Sequence, residues 1–237
     1  MTNSLLLELY EALRDETDKL SFSLPVSHVY NPLAYAWHGF SQYLAICNEN
    51  PRVVFLGMNP GPYGMAQTGI PFGEINSVKN FLGISEINIT PPKNTHPSYP
   101  VNGLNCSRSE VSGKRLWQLF REKFTTANAF FREHIVLNYC PLLFIADGHN
   151  FTPDKLAKNE RTKLFAICDN CLREAINILK PEHVVGIGSF AAKRINESSH
   201  GNITAVQILH PSPASPASNN NWAGKVTQQL IDSGVWQ

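Results

Sequence analysis

Long hydrophobic runs are missing from this sequence. No apolar stretch approaches the roughly 20 residues that a bilayer-spanning helix needs, and no membrane partner is expected. Charge is scarce and balanced: 20 Lys and Arg stand against 19 Asp and Glu, a net charge of +1, and charged residues make up 16% of the chain. That excludes a protein that clings to polyanions through a global positive field, though not one with a local basic patch. The five cysteines are an odd number in a chain whose N-terminus, MTNSLLLELYEALRDE, has no basic region before its short apolar run. That segment reads as an amphipathic helix rather than a signal peptide, and the cysteines as reduced thiols of an intracellular protein. Cys168 and Cys171 form a CxxC without a second pair to complete a zinc or iron–sulfur site. Their spacing puts them on the apolar stripe of a helix, where buried thiols are expected. No metal and no cofactor is predicted.

Hydrophobic residues, by contrast, reach 43%, a globular composition, and 237 residues are enough for one sizeable α/β domain. A single domain over 1–237 is expected, with 1–50 as an N-terminal helix and packing segment. Four short apolar runs read as strands: Val53–Gly57, Ile135–Leu137, Val184–Ile187 and Val206–Leu209. The first three are nearly continuous in hydrophobicity, as parallel strands covered on both faces are. Helices are predicted between them. One runs over Arg115–Lys123, a second follows the start signal Thr152-Pro153-Asp154 and stops at Pro181, and a third covers Ser189–Asn196. Alternating strands and helices give a fold class of α/β, with a central, mostly parallel four-stranded sheet flanked by helices. Residues 21–50 read as irregular. Residues 57–110, rich in Gly, Pro, Asn and Ser, read as a long functional loop.

Ligands of open α/β sheets bind beyond the carboxyl ends of the strands. Here those ends are Met58-Asn59-Pro60-Gly61-Pro62, Asn138-Tyr139-Cys140-Pro141, Gly188-Ser189 and His210-Pro211-Ser212-Pro213. Two amides and an imidazole converge there, with no Asp or Glu beside any strand end, which argues against a carboxylate pair or a divalent-metal cage. Each signal alone has an ordinary structural reading. Asn before Pro-Gly favours a turn, Asn138 caps a strand, a lone His after a strand is usually structural, and Phe72 plugs a core. Gly186-Ile187-Gly188 lacks the third glycine of a dinucleotide fingerprint.

Taken together they are more specific. The run from Gly57 through Met65 and Gly69 to Pro71-Phe72-Gly73-Glu74, then Ser109–Gly113, then Asn138–Leu143, then Leu209–Pro213 with Trp222 after it, resembles in order the motifs of the single-strand-selective monofunctional uracil-DNA glycosylases. The resemblance spans about residues 50–230 and implies the uracil-DNA glycosylase superfamily fold. It also implies a DNA-repair enzyme that flips uracil, and 5-substituted uracils such as 5-hydroxymethyluracil, out of DNA and hydrolyses the N-glycosidic bond. Asn59 would position the attacking water and His210 would assist departure of the base. Phe72 would stack on the base and Asn138 would read its edge. Met58 would belong to the same pocket, and Gly61 and Met65 would line the region near ring position 5. The loop Pro211, Ser212, Pro213, Ala214, Ser215, Pro216, Ala217, Ser218 and Asn219 would wedge into DNA. Ala214 and Ser215 stand where the family often carries a longer polar or basic side chain, and Ala217 and Ser218 are short as well. The implied partner is single- and double-stranded DNA containing uracil or oxidised pyrimidines, met by a monomer. Its location would be the nucleus in a eukaryote and the cytoplasmic nucleoid in a bacterium.

The chemistry agrees with these residue types. Uracil leaves as an anion spread over O2 and O4, so a donor aimed at O2 binds the transition state better than the ground state. An amide is enough to orient water toward an oxocarbenium-like sugar. Asn138 complements uracil's acceptor–donor edge, whereas cytosine reverses both groups. Lys79, Lys93, Lys114 and Arg115 are candidate phosphate contacts, although solvated surface charge is the more common role. A DNA lesion-binding module of the same fold without catalysis is the alternative, and the pairing of Asn59 with His210 speaks against it. A nucleotide-binding α/β enzyme is the other, and the absence of a phosphate-cradling glycine motif speaks against that.

Overall fold

The computed structural model describes residues 2–199, 203–214 and 216–237. The chain opens with α1 (Thr2–Asp18), β1 (Val26–Tyr30), α2 (Pro32–Tyr35) and α3 (Trp37–Ile46). Then come β2 (Val53–Gly57), α4 (Met65–Thr68), α5 (Ile75–Asn80), α6 (Val111–Phe124) and α7 (Ala127–Phe131). They are followed by β3 (His134–Asn138), β4 (Leu143–Ala146), β5 (His149–Phe151) and α8 (Lys158–Leu179). The chain closes with β6 (His183–Ile187), α9 (Ser189–Ser198), β7 (Val206–Ile208) and α10 (Trp222–Asp232).

The four expected strands form one parallel sheet in the order β3-β2-β6-β7. Every residue of β2 and β3 is buried, so both faces are covered, which is why these strands read as unbroken apolar runs. Phe55 in β2 meets Phe120 of α6 and Phe130 of α7, with ring centroids 5.0 and 6.5 Å away. Its neighbour Leu56 pairs with Gly186 of β6. Strand alternation therefore turns Leu56 and Gly186 to the opposite face. There Gly186 meets α9, and a Cβ at that position would run into the backbone of Ala192.

β3 is an edge of this sheet, and an edge strand leaves N–H and C=O groups unpaired. Tyr43 of α3 closes it. The buried hydroxyl donates to Val136 O at 2.8 Å and accepts from Val136 N at 2.9 Å, so one side chain satisfies both orphan groups.

The structure adds elements that the sequence reading left out. Residues 21–50 are ordered as β1, α2 and α3 rather than irregular. A second, antiparallel sheet, β1-β4-β5, pairs β1 with the buried run Leu143–Ala146 just past the Asn138 motif. Thr152-Pro153-Asp154 starts a 3-10 turn (Pro153–Lys155), not the long helix. Leu156, buried and extended, interrupts the turn, and α8 begins afresh at Lys158. The long loop after β2 contains α4 and α5, too short to show helical periodicity. Leu209 lies just past β7.

Candidate active site

Parallel strands in register bring their carboxyl ends to one edge: Gly57 pairs with Asn138, and Ile187 with Ile208. The crevice there has room for about 550 Å³, and Met58, Asn59, Gly61, Phe72, Asn138, His210, Ser212 and Pro213 line it. Asn59, Phe72, Asn138 and His210, predicted from three separate motifs, therefore share one cavity of the size a small ligand needs.

Asn59 lies two residues past β2. Its Nδ2 donates to Leu142 O at 3.1 Å, which fixes the amide and leaves Oδ1 as the acceptor. Asn138 ends β3 and is 6% exposed. Its Nδ2 donates to Met65 Sδ at 3.1 Å, a weak acceptor, while its Oδ1 is buried without a hydrogen-bond partner. A buried orphan acceptor costs on the order of 1–3 kcal/mol, so this atom is built to receive a donor. Gly57 makes the arrangement possible, because a Cβ there would collide with both Asn138 Oδ1 and the Phe72 ring. Met65 lies beside Asn138, behind the lining residues; Gly61 is on the wall itself.

Phe72 has a φ of 53°, a strained value for an aromatic residue. Its carbonyl accepts from Trp117 Nε1 at 3.0 Å and from Glu74 N at 2.7 Å, contacts that hold the ring in the cavity wall. The His210 ring is 6.3 Å from that of Phe72. His210 Nδ1 accepts from Ser212 N at 3.1 Å, so the neutral ring carries its proton on Nε2. Burial pushes the imidazole down to about 4, so at neutral pH it is an uncharged donor.

Of the loop that follows, Pro213, Ala214, Pro216, Ala217 and Asn219 are exposed, while Pro211 and Ser218 are buried. Ser215 lies outside the described residues. Ser218 Oγ donates to His210 O, and Trp222 Nε1 donates to Leu209 O at 2.9 Å. Arg115, a candidate phosphate contact, instead donates to Pro211 O and Ser218 O at 3.0 and 3.2 Å. It braces the loop from α6. Lys79 is likewise tied, to Leu104 O at 3.0 Å.

The cavity also contains residues that sequence reasoning missed: Tyr63, Arg108, Ser109, Glu110, Asn150 and Thr152. Arg108 lies 4.0 Å over the Tyr63 ring at the mouth. Glu110 supplies a carboxyl that no strand end carries. It is brought in by the loop before α6, and the only sign of it was the Ser109–Gly113 stretch. Burial, and then the nearby Glu74 carboxylate, push Glu110 up to about 7. For Glu74, hydrogen bonds from Ser109, Ser77 and backbone N–H groups outweigh burial and hold it below the ordinary carboxylate range. Among the described residues no group of three or more His, Cys, Asp and Glu side chains is placed to hold a metal ion.

A parallel β3-β2-β6-β7 sheet with an amide, an aromatic ring, a second amide and an imidazole at its carboxyl edge defines a class. A family model for the Uracil DNA glycosylase superfamily matches residues 44–230. A solved structure of wild-type SMUG2 from Pedobacter heparinus shares the fold, with a TM-score of 0.68 over 96% of this chain and 97% of that one at 16% identity. Over 228 residues the chain is 43% identical to the single-strand selective monofunctional uracil-DNA glycosylase of Rattus norvegicus, covering 94% of this chain and 82% of the relative. It is 42% identical to the protein of that name from Bos taurus, with 94% and 84% covered. The chain belongs to the single-strand selective monofunctional uracil-DNA glycosylase family.

Proposed function

We propose that the protein is a monofunctional DNA glycosylase of base excision repair that removes uracil, preferring single-stranded DNA, and leaves an abasic site. The observation that carries this reading is the orphaned Oδ1 of Asn138, buried against Phe72. Uracil N3–H supplies the donor it lacks, and uracil O4 replaces the sulfur of Met65 as acceptor for Nδ2. Cytosine presents an acceptor to an acceptor and a donor to a donor, and is rejected by unpaired buried groups.

The base is flipped onto Phe72, which returns roughly 1–3 kcal/mol of stacking against the few kcal/mol that unstacking costs. His210 Nε2–H donates to O2 as the C1′–N1 bond breaks and its electron pair leaves with uracil. The Oδ1 of Asn59 accepts from a water whose oxygen bonds to C1′. That water's second proton leaves for solvent, and the departing base takes up a proton there. Neutral His210 is suited to this role because a donor that stays uncharged favours the anion through its hydrogen bond alone. Thymine-like bases with a hydroxymethyl or other oxidised substituent at C5 are further substrates, and duplex DNA is a second, less favoured context. The exposed residues Pro213, Ala214, Pro216 and Ala217, together with Arg108, meet the strand. The protein acts as a monomer wherever genomic DNA is kept, the nucleus in a eukaryote.

The test is incubation with a labelled oligonucleotide carrying one uracil, in EDTA, followed by alkali. Strand cleavage at the uracil only after alkali is expected. An intact strand, or cleavage before alkali, would sink the reading.

A further inference from the structure

The antiparallel sheet β1-β4-β5 holds a strip of aromatic rings that begins at the cavity wall. Tyr63, a wall residue, packs 5.9 Å from Tyr99. Tyr99 packs 5.4 Å from His96, and His96 meets His28 of β1 edge-on at 5.2 Å. All four residues are half-buried. The strip is anchored at several points. The hydroxyl of buried Tyr30 accepts from His96 N at 2.7 Å and donates to Tyr99 O at 2.8 Å, so one side chain of β1 grips both ends of the turn 96–99. The Tyr99 hydroxyl donates to Gly148 O at 3.1 Å, between β4 and β5, and Ser98 N donates to His96 Nδ1 at 3.1 Å. Rings seated this firmly lose little freedom when a partner stacks on them. At the cavity end the exposed Arg108 stacks on Tyr63, and its planar guanidinium presents donors that suit a phosphate.

Aromatic faces for bases, with a cation beside them for the backbone, are the two parts of a platform for single-stranded nucleic acid. Resting on the reading above, we propose that this strip is the track for the unpaired nucleotides on one side of the flipped uracil. Arg108 meets the phosphate nearest the cavity, and the bases beyond it stack on Tyr99 and His96. The strip runs on from the cavity wall without a break, so a strand whose uracil is seated in the cavity is led onto it. Every base has a π-face, so the track takes any flanking sequence. It does not serve a duplex. There the neighbouring bases are already paired and stacked, and each would have to be unstacked at a further cost before it could use the rings. The track thus favours single strands through affinity and leaves the bond-breaking step alone. It also gives the second sheet a task, which is to hold the platform level with the mouth of the cavity.

Single-turnover excision over a range of protein concentrations tests this, with a single-stranded oligonucleotide carrying one central uracil. In two further oligonucleotides the bases flanking uracil on the 5′ side or on the 3′ side are replaced by abasic tetrahydrofuran spacers, which keep the phosphates. With the wild type, spacers on one side should raise the half-saturating protein concentration roughly fivefold or more, and spacers on the other side should not, while the maximal rate stays within about threefold. No rise on either side, or equal rises on both, overturns the proposal without any variant. Tyr99→Leu should raise the half-saturating concentration for the intact single strand roughly fivefold or more, should change that for a uracil–guanine duplex by less than about twofold, and should erase the effect of the spacers. Tyr99→Phe, which keeps the ring, should stay close to wild type on both substrates. A Tyr99→Leu protein that keeps wild-type half-saturation on the single strand, or still responds to the spacers, overturns the proposal. A wild type that releases uracil from none of these substrates overturns the function itself, so the two failures are distinguishable.

Discussion

The proposed mechanism gives His210 and Asn138 different jobs at the same edge, and their substitutions should separate. In the proposed mechanism the Nε2–H donor of His210 faces an oxygen that gains charge only as the bond breaks, so His210→Leu should cost more than tenfold in the single-turnover rate. It should change binding to uracil-containing DNA by far less. Tenfold is about 1.4 kcal/mol. Equal losses in rate and affinity would reduce His210 to a positioning role. On the same proposal Asn138 acts on the ground state as well. In Asn138→Asp a carboxyl replaces the amide, and burial favours its protonated form. It can then accept from cytosine N4–H₂ and donate to cytosine N3, while uracil O4 loses its donor. Uracil release should fall at least tenfold, and cytosine release should become detectable in unpaired or mispaired positions, where flipping is cheapest. Alkaline cleavage of matched oligonucleotides measures both. Wild-type uracil release with cytosine still ignored would remove Asn138 from the base edge.

Among the elements, β3 relies on one side chain to close its outer edge at Val136. Tyr43→Phe removes the hydroxyl that serves both Val136 N and Val136 O, and burial there leaves no route for water. The change should destabilise the protein by roughly 2–4 kcal/mol, one penalty of about 1–3 kcal/mol for each orphaned group with partial relaxation. Urea unfolding measures it, and a loss below about 0.5 kcal/mol would mean that the edge is satisfied in another way. The parallel strands were legible in the sequence because burial on both faces makes them apolar throughout. β5 was not, since His149-Asn150-Phe151 has no strand pattern and pairs only because β4 lies beside it. β4 is apolar but follows the Asn138 motif so closely that it read as its tail. The site divides in the same way. Asn59, Asn138 and His210 follow strands and could be placed from the strands alone, and Phe72 came with its motif. Glu110 and Arg108 arrive on a loop with no periodicity, and only the folded chain shows that the Glu110 carboxyl sits where side chains at Gly61 and Gly64 would stand.

For the molecule as a whole, the buried titratable groups oppose one another. Burial lowers His210 and His134 from 6.5 to about 4. Between those values the unfolded chain binds more protons than the folded one, so their contribution is complete above pH 6.5 and is lost as pH falls toward 4. Glu110 is raised from 4.5 to about 7, so between those values the folded chain binds the extra proton. Its contribution is present below pH 4.5 and is lost as pH rises through 7. The wild-type stability profile between pH 5 and 7 should therefore be flattened. Glu110→Gln removes the opposing slope, and its urea midpoint should climb more steeply from pH 5 to pH 7 than that of wild type. A parallel pair of profiles would show that Glu110 titrates alike in both states.

The crevice also has an order in time. Asn59, Phe72, Glu110 and Asn138 all precede α8 in the chain, whereas His210 and the residues that pin its loop, Ser218 and Trp222, come near the end. A chain leaving the ribosome is released from its N-terminus onward. The wall proposed to read the base is thus synthesised well before the imidazole proposed to promote bond breakage, and on that proposal the final stretch of translation is what arms the protein to cut.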